Sequence, residues 1–493
     1  MRYVLARLAL LPALGGCSLI YNESNIPTPM ADAGPDGEID AEIPVDADPS
    51  MMNITGVTPS VITEGQGADG SRSAVIVIEG VHMVKSGLMV MVTPKVTSPV
   101  QKTPLMMVNM AGIDLDAAGR QLAVPIVLDV DDRGGTTGLT AGDLIALDIT
   151  VMQTVPGGPT ITRQLTGMLS VKGLPELTNA TLPAAGLPAL SEYSEVNLTA
   201  GTIKGVAGLA EPVVIRATAS ITIGNSVTTS VNGVAMTGGP GAGNGGMGGA
   251  AIGGAPGAPG TGPAPGAPSA GVGRYEGDEQ LKSHAEADKN RGSGGAGANG
   301  SVVLGAGGNG GGGGGSIELT AGGDLTVGTI TAQGAIGGAG AAGAGGGGSG
   351  GVVLVRSGRT LSAGTLNVTS LGTGQPGRAR YDAATATVAN AGSAFRGPMF
   401  VNVPLIANEQ KPTFTVAGQP SKPFSYYFRT ADGSEESMLF TDNFPGTGMK
   451  AITLPAALYP GLNELCLVVG GGDQSSETRN CVHIAHLYKP PAM

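Results

Sequence analysis

The chain holds 493 residues with a formal net charge of −11, 41% hydrophobic residues, 3% aromatics and no Trp. Such an acidic balance argues against a nucleic-acid binder, which needs basic patches to neutralise phosphate, and four His and three Cys leave little for a His or Cys metal cluster. Gly (86) and Pro (34) together make roughly a quarter of the chain, close to where low complexity or a repeat architecture becomes the leading explanation.

At the N-terminus, Arg2 and Arg7 accompany an apolar stretch from Leu8 to Leu14, which is too short to span a bilayer. Leu14-Gly15-Gly16-Cys17 follows and resembles the lipobox of bacterial lipoproteins, with Gly15 standing where Ala or Ser is usual. The resemblance implies cleavage after residue 16 and lipidation of Cys17. Ser18, rather than Asp, after the Cys implies onward transport to the outer membrane. The membrane would then be a partner through the lipid anchor, because several acyl chains on one Cys hold stably where one is marginal. Residues 1–16 are expected as the signal peptide and 17–52 as an acidic disordered tether. Residues 22–50 carry eight acids, no Lys or Arg, and five Pro. A stretch of that composition stays extended and unfolded. The acids lack the spacing of an EF-hand calcium loop.

Residues 53–175 read as a β domain. Ala74-Val75-Ile76-Val77-Ile78 is a buried strand, and further strands are expected at 88–92, 124–130, 144–152 and 164–171, separated by Gly- and Pro-containing turns. Ile54-Thr55-Gly56-Val57-Thr58-Pro59, a Gly-rich turn and the apolar strand closing on Gly80 resemble the opening of an IPT/TIG immunoglobulin-like domain. That resemblance implies a two-sheet sandwich. Asp129, Asp131 and Asp132 are expected as a solvated turn and His82 as a strand-end residue.

The segment 176–395 carries an internal repeat. Ile317, Leu319, Ala321, Leu325, Val327, Gly328 and Ile330 reappear 36 residues later as Val353, Val355, Ser357, Leu361, Ala363, Gly364 and Leu366. The pattern also stands 104 residues earlier as Val213, Ile215, Ala217, Ile221, Ile223 and Gly224, with Val227 one place late. Alternation turns one side of each short strand inward. A unit that cannot bury this row alone must stack on copies of itself, which predicts a parallel β-solenoid. A β-sandwich of the same strands is the rival fold. The segment resembles the Gly-rich β-helices of bacterial surface adhesins.

Between the copies lies Gly-rich filler, with 51 of the 148 residues from 233 to 380 being Gly. Its three-residue period breaks at Pro263, so collagen is rejected. A disordered insert is expected near 238–300, extended polyglycine packed on the solenoid being the alternative. A GxGxxG match at 343–348 carries no weight in this composition, since no Lys occurs between 290 and 410. Arg274 to Arg291 holds nine charged residues and is expected as a solubilising insertion. From 294 to 373 the only charges are Glu318, Asp324, Arg356 and Arg359, with Glu318 on the outer face. Four isolated charges make a poor catalytic cleft.

In 396–493, the final segment, Phe residues concentrate and Gly461-Leu462-Asn463-Glu464-Leu465-Cys466 leads into an Asp473 turn. This resembles the last hairpin of bacterial immunoglobulin-like domains. Cys466 and Cys481 sit symmetrically about that turn, so a hairpin sets them opposite one another for a disulfide. A Cys/His metal site with His483 and His486 lacks the two-residue Cys spacing.

The resulting expectation is all-β: an Ig-like sandwich, a Gly-rich parallel β-solenoid and a second Ig-like sandwich. No catalytic residue, metal ligand or cofactor is assigned. The whole resembles multidomain surface lipoproteins of Gram-negative bacteria, which implies an adhesin or structural scaffold with a carbohydrate or protein partner. A polysaccharide lyase or hydrolase on the solenoid is the second reading, and a self-assembling envelope or filament subunit the third. Orientation toward the cell surface or the periplasm stays open.

Overall fold

The computed structural model describes residues 51–65, 74–95, 105–129, 142–155, 157–206, 209–275, 291–389, 394–470 and 479–487. The fold is all-β, with only short 3-10 turns besides strands among the described residues. No helix among the described residues is long and apolar enough to cross a membrane.

Two sheets make the first sandwich. One orders Asn53–Thr58, Val75–Val81, Gln121–Asp129 and Leu105–Val108, with Asp114–Leu115 added on Gln121–Asp129. The other orders Val61–Thr63, Thr160–Lys172, Leu144–Thr154 and Leu88–Pro94. Alternation decides which side chains meet between them: Leu147, Ile149 and Val151 pack against Ile76, Ile78, Leu122 and Val124. The strands expected from apolar runs are all present and longer than foreseen at several ends.

Beyond Lys172 the chain winds into coils whose strands pair in parallel on three faces. Face A stacks Leu190–Tyr193, Val213–Ala217, Ser316–Ala321, Val352–Ser357, Arg378–Asp382 and Ala394–Arg396. Face B stacks Glu176–Thr178, Glu195–Leu198, Ile221–Ile223, Leu325–Val327, Thr360–Ala363 and Thr385–Val388. Face C stacks Gly201–Ile203, Val227–Ser230, Ile330–Thr331 and Leu366–Asn367. Each full coil visits A, B and C in turn, so the stack is a parallel β-solenoid rather than the rival sandwich.

The register reproduces the repeat. Val213, Ile317 and Val353 are neighbours in one ladder, Ile215, Leu319 and Val355 in a second, and Ile221, Leu325 and Leu361 in a third. All nine are fully buried, and each contributes about 1.5–3 kcal/mol relative to exposure. The alignment fails at one place. Val227 pairs with Gly201, and the residue beside Ile330 is Thr229. A turn closed by the Val227 amide on the Gly224 carbonyl (3.0 Å) lengthens that corner and shortens the 104-residue offset locally.

Every long insert leaves the solenoid at one corner, between faces C and A: Ser230 to Ser316, Thr331 to Val352, and Asn367 to Arg378. The disordered insert expected near 238–300 is not what the described residues of that span, 238–275 and 291–300, form. They make straight segments bonded through the backbone at every third residue. The amides of Gly243, Gly246 and Gly249 donate to the carbonyls of Gly292, Gly295 and Ala298 at 2.8–2.9 Å, a parallel pairing. In the antiparallel sense, Gly307, Gly310 and Gly313 donate to Gly249, Gly246 and Gly243. The segment 305–315 also bonds in parallel to 343–349, through Gly308 to Gly343, Gly311 to Gly346 and Gly314 to Ser349. A three-residue repeat of this kind is the signature of extended helices of the polyproline II type.

Packing of such helices decides the composition. A β-carbon on Gly294, Gly297 or Gly300 would collide with the carbonyl oxygen of Asn244, Met247 or Ala250 respectively. The same holds for Gly345, Gly348 and Gly351 against Asn309, Gly312 and Gly315. The rule behind collagen, Gly wherever neighbouring backbones meet, therefore operates helix by helix, and Pro256, Pro259, Pro265 and Pro268 occupy exposed positions between buried Gly257, Gly260 and Gly266.

A second sandwich closes the fold. Its sheets order Met399–Asn402, Thr413–Ala417, Met449–Thr453 and, opposite, Ile406–Ala407, Asn480–His486, Gly461–Val469, Pro423–Thr430, Phe440–Asn443. Phe400, Phe414, Phe424, Phe428 and Phe444 fill its core. Contrary to a simple string of domains, the two sandwiches touch: Val75, Val77 and Ala123 of the first pack on Leu462, Ala485 and Leu487 of the second.

Replacing Gly294 by Ala is expected to lower stability by about 3 kcal/mol, because no flexible side chain can yield to the new methyl. Gly446→Ala, at an exposed glycine with open space around it, should leave the melting temperature within error. Thermal unfolding of both variants checks this.

Candidate functional site

Three places gather chemistry-bearing groups. The first lies on the outer side of face A. Register sets Glu318, Leu354 and Arg380 in one outward row and Thr320, Arg356 and Asp382 in the next. Glu318 was expected on the outer face, and it is, but it is buried: Glu318 is 2% exposed, and Arg380 and Asp382 0%. Arg380 holds Asp382 by two parallel bonds, Nε to Oδ1 at 2.7 Å and Nη2 to Oδ2 at 2.6 Å. Arg356 reaches Glu318 at 3.6 Å and Asp382 at 3.6 Å, while Thr320 donates to Glu318 at 2.9 Å. Asn480 of the second sandwich completes the cluster. It accepts from Arg356 Nε at 3.0 Å and donates to Asp382 Oδ2 at 2.9 Å and to the Pro398 carbonyl at 2.7 Å.

The charges that looked isolated are thus a buried ionic joint between solenoid and sandwich. Burial pulls the Arg356 guanidinium down, and Glu318 and Asp382 push it back up. Side chains committed to one another in this way, away from solvent, are poor acids or bases for a substrate. Gly397 is part of the seal, since a β-carbon there would run into Asp382 and Arg380. Asp324 and Arg359, the other two charges of this stretch, pair at 3.7 Å on the surface. Arg380, Asp382 and Asn480 lie beyond Leu366, where the aligned repeat ends, so the alignment alone does not single them out. Carrying the alternation one coil further, 26 residues on from Arg356, lands on Asp382.

The second place is the C-terminal hairpin. Cys466 and Cys481 are register partners on adjacent strands and form a disulfide, as the symmetric spacing predicted. Glu464 lies near enough for its carboxylate and the two sulfurs to resemble a ligand cluster, but both sulfurs are spent on each other. Glu464 instead accepts from Arg429. His486 is buried, with Nδ1 3.1 Å from the Ala407 carbonyl oxygen. Cys17, Asp131 and Asp132 fall outside the described residues, as does most of the charged insertion at 274–291; His82 follows a strand end in a left-handed turn at φ 58°.

The third is the surface of the glycine-rich array. No charged residue occurs at 217–273, 292–317 or 325–355. Those three stretches, as described, offer solvent backbone amides and carbonyls, Pro rings, small side chains and a few large aliphatic ones. Such a surface can bind by shape, dispersion and neutral hydrogen bonds.

Compared with protein families, with curated proteins and with solved structures, the chain matches none.

Arg356→Ala would leave Glu318 and Asp382 buried without a shared cation. It is expected to lower the unfolding free energy by about 3–5 kcal/mol in chemical denaturation, with Arg356→Lys recovering only part. Burial also pushes His483 down, with Arg429 adding to the effect and Glu464 opposing it. A His whose folded pKa is depressed stabilises fully above its ordinary value of 6.5, and that share is lost as pH falls below it. The melting temperature should fall between about pH 7.5 and about pH 5.5 by more in the wild type than in His483→Gln.

Proposed function

We propose that the chain is an outer-membrane-anchored lipoprotein of the cell surface, acting without catalysis as an adhesin or structural scaffold. The observation that carries this reading is the array: ordered, densely hydrogen-bonded and without charge along 217–273, 292–317 and 325–355, mounted at one corner of a solenoid that two sandwiches brace. Its chemistry suits presentation of a neutral surface to a carbohydrate or protein partner rather than turnover of a substrate. The tether of eight acids after Cys17 would supply the reach from the membrane. Of the carboxylates that the coils from 316 to 382 carry, Glu318 and Asp382 are sealed in the ionic joint and Asp324 pairs with Arg359 at the surface, which counts against the paired carboxylates a glycosidase would use.

Intact cells treated with an external protease should lose the protein from the outer membrane, whereas Cys17→Ser cells should not carry it there at all. A deletion strain should attach less well, and the array variant Gly294→Ala should share that defect. Protection from external protease, together with normal attachment of the deletion strain, would contradict the reading.

A further inference from the structure

The array ends in three adjoining turns. Segments 243–249 and 292–298 run outward side by side, and 305–315 returns between them and 343–349. The far ends are therefore the turns at 250–254, 301–304 and 340–343. They touch: Gly254 faces the Gly300 carbonyl, a β-carbon on Gly305 would meet the Ala341 methyl at 3.0 Å, and the Ala342 amide donates to the Ala306 carbonyl at 3.1 Å. On these turns stand four large aliphatic side chains pointing at water: Ile252 is 92% exposed, Val302 71%, Val303 85% and Leu304 62%. Soluble surfaces seldom gather such residues without use for them.

We propose that this distal tip inserts into the interfacial region of a lipid bilayer. Two observations choose a bilayer over a protein. The tip is convex, with side chains standing on turns rather than lining a groove, so a deformable medium accommodates it where a protein would need a matching hollow. It is also uncharged in a chain of net charge −11, so insertion strips water from no ionic group and the acidity of the rest of the molecule is held back from the lipid headgroups. Attraction then comes from aliphatic burial alone. The inference goes beyond the scaffold reading and is independent of the anchor at Cys17, which the test removes.

The chain contains no Trp, so a single introduced one reports without background. Full-length protein carrying Cys17→Ser and Val303→Trp is mixed with phosphatidylcholine vesicles, and the same background with Met438→Trp serves as control, Met438 being 77% exposed on the second sandwich. The expected result is a blue shift of emission at the tip and none at the control, unchanged by salt and not enhanced by added phosphatidylglycerol. Replacing Ile252, Val302 and Leu304 by Ser in the Val303→Trp protein should weaken vesicle partitioning at least about tenfold. No shift at the tip, equal shifts at both positions, or binding that appears only with phosphatidylglycerol would overturn the proposal. A tip shift that grows with protein concentration without vesicles would overturn it in favour of a second copy of the chain.

Discussion

Inward-facing aliphatic side chains must lie directly above their counterparts in the next coil. That requirement sets the register of all three faces, and the register places everything else. It aligns Glu318 with Arg380, and Arg356 with Asp382, on the outer side of face A, where the second sandwich can seat Asn480 among them. It also brings the start of each coil to one corner, so that inserts of very different length emerge beside one another. Aliphatic stacking contributes the bulk of the stability, while the ionic joint adds orientation. A buried charge set that must be fully matched tolerates only one seating of the sandwich.

The glycine-rich inserts solve a different problem. Lacking inward side chains, they cannot form a hydrophobic core, and each extended helix alone has no internal hydrogen bonds. Lateral association supplies the missing partners, and it is possible only where backbones come close enough for amide to reach carbonyl. Low complexity in this region is therefore high constraint. At Gly294 or Gly348 even the smallest side chain has no room, whereas exposed positions such as Met247 and Ile336 accept bulk freely.

Much of this was legible beforehand. Strand alternation located the sandwich strands, and the 36-residue offset from Ile317 to Val353 held at every position of the repeat. Symmetric spacing placed Cys466 opposite Cys481. What escaped notice did so for physical reasons. Order in the glycine array rests on backbone bonds between segments far apart in the chain, and composition alone does not distinguish these from unbonded loops. The contact of Val77 with Leu462 and Ala485, likewise, joins surfaces whose apolar character reads locally as ordinary strand alternation. The ionic joint lay one coil past the last recognised repeat.

Extended helices of this type rise about 3.1 Å per residue, roughly nine-tenths of what a chain can reach when fully stretched. A load hung on the turns at 252 and 302–304 finds almost no slack to draw out, unlike a folded domain that lengthens severalfold as it unravels. Tension would pass along the glycine segments to the corner of the solenoid nearly undiminished. Whatever the tip grips, the array behaves as an inextensible cable.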